Sequence, residues 1–546
     1  MNATRWTFIG LGLLATGACG GRPSYWDSHV DAAAPAYGLT QGVAIVDDAQ
    51  HRVVVLTAGP NQQIAKQTTP VGHHFAGAVT SPDDNKLFLL SSGDWPRQSA
   101  TDEWPSLTVL TLDGFTATAT RFTMSVPLAN LALDPLGNYA VAYQGSGSTA
   151  SFAQNPNEIV VFDLRRPPYS TLAGAPSDPS RANPVSLSIQ SFGGTPQRLT
   201  FTPPMSLPVG APTPSARQLL LIETDIDVSI VDLSHAFESP PKSEVTVRLT
   251  SGVNAQTVAP AGLVVNPDDG RIALRTSSNS NVYLLQLVAA TDPNAANDFN
   301  PTITSADVGG IPSDIQFVRT MQGLRIAALV PSKSTAMLVP PDDSPPTPVA
   351  LSSAYSNLSL VTNVVSGPAS TDVALLWAQG SGVASGVALW TLSGAIGKPY
   401  QSVEVLQVTE PIASVLAVPA PNLKVLETQS GVGENDFFVL DLLKRTANKL
   451  RTTSSSKLVP SSDGARLWAY ASGGTDLAQF DLGTLTPTPL TTTLPISSVF
   501  DVKNSGGGYS LIALHAQGAF GATVFDASAP DPARSRLSPA LLLEEP

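Results

Sequence analysis

Apolar residues along this chain come in short runs separated by turn-forming clusters, and the same arrangement returns many times. The clearest copy reads Gly262-Leu263-Val264-Val265, then Asn266-Pro267-Asp268-Asp269-Gly270, then Arg271-Ile272-Ala273-Leu274-Arg275, and closes at Val282-Tyr283-Leu284-Leu285-Gln286-Leu287. This predicts a strand, a tight turn, a second strand, a polar loop and a third strand. The turn has the right chemistry: Pro presets φ, Asp bonds its own backbone and Gly accepts φ > 0.

Other copies run from Val79 to Asp113, Leu131 to Leu164, Leu199 to Leu233, Asp314 to Val339, Val364 to Leu392, Ser414 to Leu442, Leu458 to Leu482 and Val499 to Asp526. The closing strands recur about every 40–70 residues, within the band of propeller blades and their insertions. Each unit carries apolar residues on both faces, which only stacked neighbours can cover. Radial closure then leaves only short protected edges. The expectation is an all-β chain, a β-propeller of four-stranded blades in a single ring of about seven to nine blades. A β-solenoid or paired sandwiches is the alternative. The stretch Gly42–Asp47, followed by Arg52–Leu56, resembles a lone closing strand and is expected to complete the last blade and latch the ring.

The Ser-Pro-Asp-Asp-Asn and Asn-Pro-Asp-Asp-Gly turns, Val71-Gly72 before the first unit and the Val-Phe-Asp-Leu-type endings resemble the bacterial Tyr-Val-Thr-Asn β-propeller repeats over roughly residues 43–528. That resemblance implies the fold and leaves function open, because propellers host many unrelated activities. Proline-rich insertions at 165–197, 203–216 and 340–348 are expected as rim loops, since Pro lacks the ladder donor of a central strand.

The N-terminus changes the picture. Arg5, the apolar run Trp6–Ala15 and small residues before Cys19 read as a secretory signal. Thr16-Gly17-Ala18-Cys19 resembles the lipobox of bacterial lipoproteins, which implies acylation of Cys19, the only cysteine, and, with Gly20 after it, export to the outer membrane. An ordinary signal peptide with an incidental thiol is the other reading. The expected organisation is a signal peptide at 1–18, a tether at 19–40, the propeller at 41–530 and a tail at 531–546.

Of the 546 residues 42% are hydrophobic and 13% charged, about half the roughly one quarter usual in globular domains. Low charge with 47 Pro and 42 Gly suits strands and turns. The net charge of −13 argues against a nucleic-acid partner, whose phosphates demand a basic surface. No motif points to a cofactor.

Candidate chemistry is thin. His73-His74 is the only His pair, and neighbours on an extended strand point to opposite faces, so a loop role is expected rather than a metal. Asp47-Asp48, Asp83-Asp84, Asp268-Asp269 and Asp342-Asp343 lack the alternating ligands of a calcium loop and read as turn residues. Asp113, Asp163, Asp232, Asp441, Asp481 and Asp526 end strands at equivalent places, which predicts turn formation or blade-to-blade hydrogen bonds. Trp95 and Trp104 flank a loop with Arg97, suited to recognition or to rim packing. No Gly-x-Ser-x-Gly elbow, Walker loop or His-Glu-x-x-His occurs. The reading is a lipid-anchored envelope propeller that binds an envelope protein or polymer and has no catalytic or metal residues. The alternative is a lactonase-like propeller hydrolase, marked by carboxylate, His and Arg converging in the channel. Oligomeric state is left open.

Overall fold

The computed structural model describes residue 30 and residues 34–541, except 146–154, 171, 173–181, 210, 212–213, 239–243, 252–255, 267, 269, 291–298, 343, 367–368, 380–385, 409, 421, 429–435, 453–456, 516–520, 532–533 and 540. The signal segment, Cys19 and most of the expected tether lie outside the described residues.

Among the described residues ten four-stranded antiparallel sheets follow one another along the chain. As blades 1 to 10 they occupy residues 36–70, 75–123, 130–188, 196–247, 260–307, 314–350, 357–406, 412–451, 457–491 and 496–538. Each neighbouring pair shares an apolar core. Val46 and Val55 of blade 1 pack with Leu87 and Leu110 of blade 2, and the series continues to the junction of blades 9 and 10 around Trp468, Leu511 and Phe525. The circle then closes: Val43, Ile45, Val54 and Leu56 of blade 1 pack with Val502, Ile512, Leu514 and Val524 of blade 10.

The burial explains the sequence pattern. The two middle strands of a blade are covered on both faces, so Leu219–Thr224 is buried at every position. The outermost strand touches solvent, so Thr116–Thr123 is mostly polar and exposed. Those fourth strands also hold Pro348, Pro487 and Pro489, at the edge where a missing donor costs least.

Three expectations are corrected. The ring has ten blades rather than seven to nine, because the stretch read as a latch is a blade of its own. Gly42–Asp47 pairs with Ala36–Leu39 on one side and Arg52–Ala58 on the other. Blade 10 supplies all four of its own strands, so closure is face-to-face packing with no shared strand. The ring also begins at Ala36, inside the stretch read as tether, and ends at Ser538, inside the stretch read as tail. Finally, the insertion at 203–216 is not only loop: Met205–Leu207 pairs with Ser215–Arg217, and Val209 bridges Val288 of blade 5. Val185–Ser188, within the other long insertion, is the outer strand of blade 3.

The turn chemistry matches expectation. The Asp441 side chain accepts from the Leu443 and Lys444 N–H groups at 3.0 Å each, and Asp481 does the same with Gly483 and Thr484. Asp83 accepts from Ser81 Oγ at 2.5 Å and from Asn85 Nδ2 at 3.0 Å. No helix among the described residues is long and apolar enough to cross a membrane.

Candidate functional site

In blades 2, 4, 5, 8 and 10 the inner strand carries a bulge one residue after its start. A bulge re-aims the residue that follows it. That residue faces the penultimate position of the second strand, which is Leu90 in blade 2 and Leu514 in blade 10. In blade 4 the pair is Arg198 and Glu223, and in blade 5 it is Gly262 and Arg275. Charge therefore replaces aliphatic side chains at one level of the ring, beside the channel.

Glu223 is 3% exposed. Arg198 Nη1 lies 3.6 Å from its Oε1, too far for a hydrogen bond. Oε1 is fully buried and accepts no hydrogen bond. Burial raises the Glu223 pKa, while Arg198 and Arg275 pull it down. Arg275 donates one N–H to the Pro312 carbonyl at 3.3 Å. Burial lowers its pKa; Asp314 of blade 6 and Glu223 support its charge, and Arg198 opposes it. Asp314 accepts from the Leu358 and Ile315 N–H groups, and burial outweighs them and raises its pKa. Gly262 leaves space for this arrangement: a Cβ there would sit 3.0 Å from Arg275 Nε.

The turn after Glu223 builds a second feature on the same face. Asp227, fully buried, accepts from Ser191 Oγ at 2.8 Å, the Phe192 N–H at 2.8 Å and Thr224 Oγ1 at 2.7 Å. Asp225 accepts from the Thr195 N–H at 2.7 Å. Gly193 takes φ +103, and at Gly194 a Cβ would lie 2.2 Å from Thr224 Oγ1, so this loop admits only glycine there. The loop is thus fixed by buried polar contacts while it holds Phe192 55% exposed. Arg248 stacks on the Phe192 ring at 3.8 Å.

The histidines group elsewhere. His51 and His73 stack with centroids 4.0 Å apart at the junction of blades 1 and 2. His73 Nδ1 lies 3.0 Å from Asp94 Oδ1, and His74 Nε2 lies 3.6 Å from the same oxygen. The pair does not splay as on a strand, because His74 adopts φ 56 in a loop. Stacked rings direct their in-plane lone pairs alongside each other rather than at one point. Among the described residues no group of three or more His, Cys, Asp or Glu side chains is arranged to hold a metal. The described histidines bond elsewhere: His73 to Asp94, His235 to Asp232, and His515 to the Pro495 carbonyl and Thr523. Trp95 and Trp104 are half-buried, and Arg97 lies 3.8 Å over Trp104 while donating to the Asp102 carbonyl. They stiffen their own loop. Of the acidic pairs, Asp47 binds Arg52 at 2.8 Å, Asp48 accepts from the Phe75 N–H and Asp342 from the Ser344 N–H. Asp269 and Asp343 lie outside the described residues.

The chain is a β-propeller. No protein-family model matches it and no curated protein matches it. Among solved structures it is similar to the dihydro-heme d1 dehydrogenase NirN in complex with DHE, at 11% identity, TM-score 0.39, over 86% of this chain and 76% of that one. It is also similar to apo AztD from Citrobacter koseri, at 10% identity, TM-score 0.30, over 76% and 96%. A third likeness is to the WD40 domain of SCAP from fission yeast, at 12% identity, TM-score 0.35, over 81% and 90%. Likenesses this distant carry no argument about what this chain binds or does.

Proposed function

We propose that this propeller is a lipid-anchored protein of the cell envelope that binds a protein or envelope polymer through the face bearing Arg198, Glu223, Arg275 and Phe192. The observation that carries the reading is the loop 191–195, in which a fully buried carboxylate, Asp227, holds an aromatic side chain out in solvent. A large apolar ring held in water on a rigid loop fits recognition better than core packing. The anchoring part of the reading rests on the signal-like N-terminus, the lipobox-like Thr16–Cys19 and the Tyr-Val-Thr-Asn-type repeats. In this reading the outer membrane is the location, with the ring on the periplasmic or outer side.

Two measurements test it. Cys19→Ser should abolish metabolic labelling with a fatty acid and move the protein to the soluble fraction; an unlabelled wild type removes the anchor. A photoreactive residue in place of Phe192 should cross-link to an envelope component, whereas the same residue at Asp83, on the opposite face, should not. Equal capture from both faces overturns the assigned surface. One observation favours the hydrolase reading instead: burial raises the pKa of Glu223, as suits a general acid. That reading requires lactone or ester hydrolysis that disappears in Glu223→Gln.

A further inference from the structure

We propose that the outer strand of blade 5 pairs with the same strand of a second copy of this chain, joining two rings edge to edge about a two-fold axis at Ile303. The inference goes beyond the recognition reading and does not rest on it, because it uses the rim of the ring and leaves the face bearing Phe192 free.

An outer strand ends its sheet and leaves a row of unpaired backbone groups, which proteins ordinarily blunt with charge or proline or cover with another group. The other outer strands of five or more residues are blunted in this way. Ile64–Pro70 carries Lys66, Thr116–Thr123 carries Arg121, Thr446–Arg451 carries Lys449 and Arg451, and Pro487–Thr491 carries two prolines. In blade 2 the Gln67 side chain also covers the edge, donating to the Ala117 carbonyl and accepting from the Ala117 N–H at 2.8 Å each. Phe299–Asp307, at 9 residues the longest outer strand described, has no charge before Asp307. Its centre, Thr302 to Ser305, is exposed, and Ile303 stands 41% exposed there.

The register says which groups are free. Asn281 stands opposite Asp307, and the Val308 N–H bonds the Ser280 carbonyl at 2.9 Å. Even-numbered residues of the strand therefore bond inward to Asn281–Ala289, and odd-numbered ones turn their backbone groups to the rim. Among the described residues nothing bonds to the outward groups of Ile303 and Ser305. Pro301 lies on this outward side too, where its missing donor breaks no bond within the blade.

A second copy fits this edge across the whole strand when Ile303 faces Ile303. The two Ile303 residues then exchange N–H···O bonds, each Ser305 N–H reaches a Pro301 carbonyl, and Asp307 stands opposite Phe299. Pro301 is asked for no donor. The two Ile303 side chains lie beside each other on one face of the joined sheet and cover apolar surface now in water. The Asp307 carboxylates end up roughly 25 Å apart along the strands, so no like charges face each other. The contact is self-complementary and closes on itself, giving a dimer and no filament.

The test is sedimentation velocity of the full-length protein in detergent across about 1–200 micromolar. A strand pair of this size makes a small interface, so a dimer dissociating at about 1–100 micromolar is expected. Ser305→Pro removes an N–H that bonds nothing within the blade. It should leave the urea midpoint unchanged and raise the dissociation constant about tenfold to a hundredfold, through the symmetric pair of bonds it removes. Ile303→Lys and Ile303→Glu should each be monomeric, since like charges then face across the axis, and a one-to-one mixture of the two should dimerise again. These changes to an exposed side chain carry the test if Ser305→Pro does not fold. A wild type monomeric at the highest concentration, a dimer unchanged in Ser305→Pro, or a mixture that stays monomeric overturns the pairing. A monomeric wild type whose Ile303 and Ser305 amides become protected from exchange only when envelope extract is added gives the edge to a foreign strand and likewise overturns it.

Discussion

Closure of the ring depends on a strand that the sequence assigns to a flexible tether. The perturbation is a truncation starting at residue 41, compared with one starting at residue 30. The shorter chain loses Ala36–Leu39, the innermost strand of blade 1, which pairs along its length with Gly42–Ile45. It loses Leu39, 2% exposed, and Val30, which sits in the closing core. It also loses the bond from Lys503 N–H of blade 10 to the Thr40 carbonyl at 2.7 Å and the bond from Val46 N–H to the Pro35 carbonyl at 2.9 Å. Burying a Val or Leu side chain is worth about 1.5–3 kcal/mol. Each hydrogen bond adds about 0.5–1.5 kcal/mol net, since water in the channel replaces part of it. The loss is therefore on the order of 4–9 kcal/mol, against a typical net stability of about 5–15 kcal/mol.

Urea unfolding followed by tryptophan fluorescence should give a much lower midpoint for the chain starting at 41, or no folded baseline. Blades 1 and 10 meet without a covalent link, so amide exchange should rise in Ile496–Lys503 of blade 10 as well as in blade 1. Equal midpoints would refute the role given to Ala36–Leu39. A loss of protection confined to blade 1 would refute cooperative closure.

Two further outcomes follow from single side chains. His515 is 1% exposed, with Nε2 2.7 Å from Thr523 Oγ1 and Nδ1 3.2 Å from the Pro495 carbonyl; burial lowers its pKa from the ordinary 6.5, against the pull of that carbonyl. The unfolded chain then takes up its proton first as pH falls, so stability is full above about pH 6.5 and erodes as pH falls through the folded pKa. Glu223, Asp314 and Asp501, all raised by burial, act in the opposite sense as pH falls, so the check is the difference in urea midpoints between wild type and His515→Gln, which should narrow from about pH 7.5 to 5.5. Asp227→Asn should cost about 1–3 kcal/mol, because one amide oxygen cannot serve Ser191, Phe192 and Thr224 together. Its signature is faster proteolysis within 191–195, and an unchanged cleavage rate would contradict the fixed loop.

Much of the architecture was legible because burial writes itself into the apolar runs. The first three strands of a blade are visible wherever both middle strands are sandwiched, as at Leu87–Leu90 and Leu107–Leu112. The fourth strand was not: Thr446–Arg451 carries no apolar period, since solvent covers one of its faces. Without fourth strands, Gly42–Asp47 had no visible blade around it and looked like a donated strand. The site was half legible. Glu223 ends the run Leu219-Leu220-Leu221-Ile222, and Arg275 ends Ile272-Ala273-Leu274, so both are charges at the same place in the repeat where blades 2 and 10 have leucine. Nothing local says that the two places face each other, because neighbouring blades meet only through ring closure. Phe192 was hidden for a different reason. An aromatic before Gly193-Gly194 reads equally as a core residue, and only the Asp227 contacts turn it outward.

The way the ring closes also bears on why charges persist beside its channel. A blade that borrows a strand from the other end of the chain locks the ring through backbone hydrogen bonds. Here each blade is complete in itself, and closure rests on side-chain packing with a few backbone hydrogen bonds such as Lys503 N–H to the Thr40 carbonyl, with blade 1 meeting blade 10 through the same kind of core as any other pair. The constraint on every blade is then the same: its middle strands must be apolar on both faces, as Val53–Ala58 and Leu511–Leu514 are. The inner strands escape that constraint. They show partial exposure along their length, including Ala76, Gln197, Arg198, Arg319 and Lys457, and their free edges require water because no further strand pairs with them. Partial exposure lets the guanidinium groups of Arg198 and Arg275 stand beside buried Glu223 and Asp314 without unfolding the blades that carry them. Stability therefore resides in the middle strands, and the inner edge carries little of it.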